Sequence, residues 1–81
     1  MREDYWKNEK TKFVASWIVN TPEVSSSARN FAIANPDAPI LYRAWIKSEQ
    51  MQNLVTPDGI SVVDPELGFG QLSDVLWTLT V

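Results

Sequence analysis

Carboxylates are the side chains of this 81-residue chain that come closest to a catalytic set, because the chain has no cysteine and no histidine. Two acids close together can share general acid and base roles, and Asp64 with Glu66 or Asp58 with Asp64 are the candidate pairs. Each acid also has a simpler structural interpretation. Asp64 and Glu66 flank Pro65 as a helix cap and a first-turn acid do, and Asp58 precedes a turn glycine. We therefore expect that the protein is not an enzyme.

Other chemical patterns are incomplete in this sequence. A serine nucleophile most often uses a histidine base, and although four lysines leave a Ser–Lys arrangement open, nothing around them predicts burial. Gly68-Phe69-Gly70 lacks the Gly-Lys that completes a phosphate-binding loop. The spacing from Asp58 to Asp64 does not match a calcium loop, and the usual zinc ligands are missing. We predict no catalytic, cofactor or metal site.

Aromatic residues are the next candidates for function. Trp17, Trp45 and Trp77 lie on or beside apolar helical stripes, which favours packing in the core. Tyr5 and Trp6 differ, because they precede the first predicted helix in a charged segment. We leave two interpretations of this pair open: Trp6 folds back as a lid on the core, or the pair anchors a binding interface, where tyrosine and tryptophan are enriched.

Charge is distributed unevenly along the chain, whose net charge is −3. Residues 1–47 hold all seven cations and five acids, whereas residues 48–81 hold five acids and no cation. One interpretation is an acidic face, including Asp58, Asp64 and Glu66, that meets a basic partner surface. The alternative is a set of ordinary solvated polar faces. Nucleic-acid binding is disfavoured, since phosphate contacts need clustered Lys and Arg.

One short pattern recurs four times and predicts where helices and turns begin. It consists of a capping side chain, a proline and an acid, at Thr21-Pro22-Glu23, Asn35-Pro36-Asp37, Thr56-Pro57-Asp58 and Asp64-Pro65-Glu66. We predict helix starts at the first and fourth copies and a turn at the third, which Gly59 follows. The second copy ends a helix at Asn35, and Asp37 is predicted to cap the next one, with Pro39 in its first turn.

Apolar spacing predicts an all-α fold, a small bundle of about four short helices of roughly 9–14 residues each. The repeats comprise Phe13, Val14, Trp17 and Ile18; Val24, Ala28, Phe31 and Ala32; Leu41, Ala44, Trp45, Ser48 and Met51; and Leu72, Val75, Leu76 and Leu79. Residues 60–63 and 77–81 are rich in β-favouring types. A short C-terminal β-hairpin that pairs them is the alternative, and it would make the fold α+β.

Length and composition bound the class of protein. The 81 residues suffice for one core, so we predict a single domain over residues 1–81. No apolar run is long enough for a membrane span, and residues 1–4 carry both signs of charge with no apolar stretch of a signal peptide. A cytoplasmic location is expected. A domain this small gains stability from association, so a homodimer stays open.

The segment from Asn8 to Thr21 resembles the opening of a small uncharacterised domain found in phages, plasmids and their hosts. The family pattern is Asn-x-x-Thr-x-x-Val-Ala-Leu-Trp-Ile-x-Asn-Asp, and it is matched by Asn8, Thr11, Val14, Ala15, Trp17, Ile18 and Asn20. Lys12, Ser16 and Thr21 depart from it, replacing a frequent aromatic residue, the leucine and the final aspartate. Asp74-Val75-Leu76 is similar to the family's late helix.

The resemblance implies a helical accessory protein of a mobile element, with no active site to carry over. Small phage proteins of this kind often inhibit host machinery or defence. We therefore expect a non-catalytic phage or mobile-element protein that binds and modulates or inhibits a host protein in the host cytoplasm, with Tyr5, Trp6, Asp58, Asp64 and Glu66 as partner-binding residues. The alternative is a structural protein that self-assembles into homo-oligomers.

Overall fold

A computed structural model describes residues 5–80, which form four helices. They are α1 (Glu9–Asn20), α2 (Pro22–Ala34), α3 (Leu41–Ser48) and α4 (Phe69–Thr78). This architecture confirms the predicted all-α bundle. Two sequence-based expectations concern residues outside the described range. One is that residues 1–4 are not part of a signal peptide, and the other is that Val81 ends the second strand of the alternative hairpin. Within residues 5–80, no helix has the length and apolar character that crossing a membrane requires.

Helices α1 and α2 form a hairpin whose connection is a single residue, Thr21. Its backbone N–H donates to the Trp17 carbonyl at 3.1 Å, which closes α1, and Pro22 opens α2 at a position where no amide donor is needed. The Ser25 hydroxyl donates back to the last turn of α1, at the carbonyls of Ile18 and Val19. The helix start predicted at Thr21-Pro22-Glu23 is confirmed.

The core lies where one face of each helix meets the irregular segment 49–68. Its fully buried side chains include Trp45, Tyr42, Ile18, Leu41, Leu67, Leu72, Leu76, Val14 and Val62. Trp17 and Trp77 are half-buried and pack against this cluster, so the three tryptophans predicted for the core all contact it. Phe13 is 41% exposed, because the buried face of α1 runs through Thr11, Val14, Ala15 and Ile18 instead. The prediction that Phe13 belongs to the buried stripe was wrong.

The start of α3 differs from the prediction, which used Asp37 as its cap. The helix begins at Leu41, and the N–H of Tyr42 donates to the Ser73 hydroxyl of α4 at 3.0 Å. A side chain from a distant element thus satisfies a first-turn donor that sequence reasoning assigned to a local cap. The Tyr42 hydroxyl donates to the Val62 carbonyl at 2.6 Å, which fixes α3 against the 49–68 segment.

The helix start predicted at Asp64-Pro65-Glu66 was wrong, since α4 begins at Phe69. Asp64 does accept the Glu66 N–H at 2.8 Å, and the Leu67 N–H returns to the Asp64 carbonyl at 3.1 Å, so one turn forms. It does not propagate, because the Gly68 N–H donates to the Thr11 hydroxyl at 2.9 Å instead of continuing a helical ladder. A contact with α1 therefore ends the turn.

The alternative α+β fold was also wrong. Trp77 and Thr78 belong to α4, and the described pairing near residues 60–63 is an isolated antiparallel bridge between Val55 and Ser61. That bridge closes the predicted turn at Thr56–Gly59, which is confirmed: the Gly59 N–H donates to the Thr56 carbonyl at 2.8 Å, and Gly59 has a φ of +82°.

Candidate functional site

The segment that carries Tyr5 and Trp6 is held against the start of α4 by one side chain, Gln71. Its amide oxygen accepts the Lys7 N–H at 2.7 Å, and its amide nitrogen donates to the Tyr5 carbonyl. These two backbone contacts bracket Trp6. The aromatic pair therefore has a defined position over the junction of α1 and α4, although it precedes the first helix.

Asn8 and Thr11 fasten the first turn of α1 to the segment that leads into α4. The Asn8 side-chain oxygen caps α1 by accepting the Thr11 N–H at 2.9 Å, and its amide nitrogen donates to the Glu66 carbonyl at 2.7 Å. The buried Thr11 hydroxyl donates to Asn8 Oδ1 at 2.7 Å and accepts the Gly68 N–H. This network fixes the angle at which the N-terminal segment meets α4.

Asp64 and Glu66 come together around Lys10, whose Nζ lies 3.0 Å from Asp64 Oδ2 and 3.6 Å from Glu66 Oε2. The Glu66 backbone N–H, and then Lys10, hold the pKa of Asp64 below its ordinary value. The hydrogen bond to Asp64 and the two negative charges raise the pKa of Lys10. A lowered pKa keeps Asp64 ionised, whereas a general acid needs a raised one.

Asp58 is separate from this cluster in its contacts. It lies exposed in the turn at Thr56–Gly59. Of the three acids predicted to form a partner-binding face, Asp64 and Glu66 thus have part of their charge offset by Lys10, while Asp58 projects from a loop. Through Lys10, the acid pair connects α1 with the 49–68 segment.

A groove of about 420 Å³ opens beside the aromatic pair, between α1 and α4. Tyr5 and Trp6 form one wall, Ala15 and Val19 of α1 a second, and Val75 of α4 a third. The remaining lining residues are Lys12, Ser16, Asn20, Asp74 and Thr78. Apolar surface predominates in the lining, and we call this feature the aromatic groove.

Two large apolar side chains of the aromatic groove are exposed. Tyr5 is 49% exposed and Val19 is 54% exposed. Trp6 is half-buried, packs against the core and meets the Tyr5 ring edge to face, with ring centroids 4.9 Å apart. Trp6 therefore packs against the core, as the first of the two interpretations expects, and it also lines the groove. The second interpretation, that the pair anchors a binding interface, stays a prediction.

Sequence reasoning missed Val19, Val75 and Gln71 as parts of this site. A signal existed for Val19, since Lys12, Ser16 and Val19 share one side of α1 next to its buried stripe, where an apolar valine is out of place. No local signal points to Val75 or Gln71, because their role depends on how α4 packs against α1.

Among residues 5–80, no group of three or more His, Cys, Asp or Glu side chains is arranged to hold a metal ion.

Comparisons of the chain with protein-family models, with curated proteins and with solved structures found no match. The residues that carry the sequence resemblance nevertheless have defined structural roles. Asn8 caps α1, Thr11 fastens it to the loop before α4, and Val14, Ala15 and Ile18 form its buried face. The motif thus encodes a capped helix docked at both its start and its inner face, and this helix supplies one wall of the aromatic groove.

Proposed function

We propose that this chain is a small, non-catalytic phage or mobile-element protein that binds a host protein and so modulates or inhibits it. The observation that carries the binding proposal is the aromatic groove, with Tyr5 and Val19 about half exposed above an apolar floor. The phage or mobile-element origin rests on the resemblance in α1.

The geometry of the groove favours apolar side chains of a partner as its occupants. A volume of about 420 Å³ falls in the range of pockets that enclose a small ligand or a few side chains. Tyrosine and tryptophan lose little conformational entropy on binding and often dominate interface energies. Here, the Gln71 contacts hold the backbone on both sides of Trp6, which lowers the entropy lost on binding further.

Affinity capture with two matched variants tests this proposal. Val19 and Ile33 are each 54% exposed and each lie on a helix, but only Val19 lines the groove. We expect the tagged wild-type chain and Ile33→Asp to capture the same host protein in stoichiometric amount. Val19→Asp should lose it, because a buried unpaired carboxylate in an apolar interface costs at least several kcal/mol. Equal capture by both variants means that the groove is not the binding surface.

Light scattering coupled to size exclusion separates this function from self-assembly. If the groove receives a host protein, the wild-type chain and Val19→Asp have the same mass across a wide concentration range. A wild-type dimer that Val19→Asp converts to a monomer identifies the occupant as a second copy, and this result supports the structural, self-assembling function over the host-binding one.

A further inference from the structure

A second groove, of about 500 Å³, lies beside α3 and differs from the aromatic groove in its charge. Arg43 and Lys47 of α3 stand on its rim, and Ile46, Val63, Pro65 and Phe69 supply its apolar surface. We call it the α3 groove. It shares no lining residue with the aromatic groove.

The two cations of the α3 groove are locally uncompensated. They lie one helical turn apart, and residues 38–48 contain no acid. Of the acids that follow, Glu49 accepts the Ser27 hydroxyl at 3.1 Å, and Asp64 and Glu66 face Lys10. Asp58 lies in the turn at Thr56–Gly59, and Asp74 lines the aromatic groove. Within residues 5–80, neither Arg43 nor Lys47 forms an ion pair. In a chain of net charge −3, this is a distinct positive site.

The apolar floor of the α3 groove is held rigidly. The Phe69 ring stacks on the buried Tyr42 ring with centroids 5.6 Å apart, and the Tyr42 hydroxyl bonds the Val62 carbonyl next to Val63. The Arg43 guanidinium lies over the Phe69 ring, 6.0 Å from its centroid, which places positive charge next to an aromatic surface. Val63 remains 38% exposed.

From this juxtaposition we infer that the α3 groove binds an acidic, apolar peptide segment of a protein partner. A carboxylate of the segment lies between Arg43 and Lys47, and a neighbouring apolar side chain covers Phe69 and Val63. Charge complementarity and the adjoining apolar floor select this occupant over nucleic acid, since two cations in a chain of net negative charge give little phosphate affinity. The inference is independent of the function proposed for the aromatic groove.

Selection from a random 12-residue peptide library on the immobilised full chain tests the inference. The selected peptides should combine Asp or Glu with a large apolar residue. The tightest one, made synthetically, should bind Arg43→Glu and Lys47→Glu at least about tenfold more weakly than wild type, because each change replaces an attraction with a repulsion. Arg29→Glu is the matched control: Arg29 is also an exposed helical arginine, but it does not line the groove, and this variant should bind within about twofold of wild type.

Several results would overturn the inference. The first is that the selected peptides are not enriched in Asp or Glu. The second is that Arg43→Glu and Lys47→Glu bind the selected peptide with the same affinity as the wild-type chain. The third is that binding of the peptide is lost on changing Val19 instead. A labelled 12-nucleotide single strand that binds more tightly than the peptide, and is released by Arg43→Glu, would assign the site to phosphates. Lys47→Glu guards against a folding defect, since Lys47 has no contact with the Phe69 ring like that of Arg43.

Discussion

Lys10 offsets part of the negative charge of the second half of the chain. Its ammonium group forms ion pairs with both Asp64 and Glu66, so these two acids, which are close in sequence, share one lysine of α1. Individual residues therefore have roles that their local sequence does not show. Asp64 serves as a turn residue, an ion-pair partner and a link between α1 and the 49–68 segment.

Replacing Asp64 with Asn isolates the charge, because Asn can still accept the Glu66 N–H. At pH 7 we expect Asp64→Asn to have a lower free energy of unfolding than wild type, and Asp58→Asn, in an exposed turn, to match wild type. Folding lowers the pKa of Asp64 from its ordinary value of 3.8. The ionised carboxylate of Asp64 therefore stabilises the fold fully at pH values above 3.8, and this stabilisation is lost as the pH falls through the folded-state pKa.

Urea unfolding from pH 7 to pH 2 measures this effect. The free energies of unfolding of wild type and Asp64→Asn should converge at the acid end of this range. At pH 7, high salt should reduce the difference between the two free energies. A difference that stays constant over the whole range would show that the ion pair with Lys10 does not stabilise the fold. At the alkaline end, the raised pKa of Lys10 predicts that the stabilisation is lost only as the pH rises above 10.5.

The C-terminal end of α3 depends on the backbone conformation of one residue, Gln50. Helix α3 ends in a Schellman motif: the Gln50 N–H donates to the Lys47 carbonyl at 3.3 Å, and the Met51 N–H donates to the Ile46 carbonyl at 2.9 Å. Gln50 has a φ of +53°, in the left-handed region that glycine favours. Met51 then packs against the core, so this ending directs the 49–68 segment towards its place.

Gln50→Gly should therefore stabilise the protein, by about 0.5–1 kcal/mol, because relief of left-handed strain exceeds the extra entropy of glycine in the unfolded chain. Gly59→Ala is the complementary change. At its φ of +82°, a Cβ meets no atom within 4 Å, so its expected cost of about 1 kcal/mol is purely conformational. Thermal unfolding should move the two midpoints in opposite directions. If both variants unfold below wild type, the assignment of strain at Gln50 is wrong.

At the scale of the secondary-structure elements, the sequence correctly predicted those features that depend on local interactions. The apolar periodicity gave four helices, and Thr21-Pro22-Glu23 marked the start of α2. The start of α4 was displaced to Phe69 because the Gly68 N–H bonds the Thr11 hydroxyl, 57 residues away in sequence. The alternative strand over residues 77–81 was wrong for a similar reason in its described part: packing of Leu72 and Leu76 into the core keeps Trp77 and Thr78 helical despite their β-favouring neighbours.

At the scale of the whole molecule, the candidate site was only half predictable. Tyr5 and Trp6 could be selected because a charged, non-helical segment is an unusual place for two aromatic residues. Val75 could not, because the groove joins segments near residues 5–20 with segments near residues 71–78, and only the packing of α4 on α1 brings them together. The apolar floor of the α3 groove could not be predicted for the same reason, since Pro65 and Phe69 meet α3 only in the folded chain.

The most direct measurement is an amide chemical-shift map of the isotope-labelled chain, with and without the host protein identified by capture. The largest changes should occur at Tyr5, Trp6, Val19 and Val75, which line the aromatic groove. If those amides stay unchanged while the changes centre on α2 around Ile33 or on α3, the partner binds elsewhere, and the groove is not the functional surface of this protein.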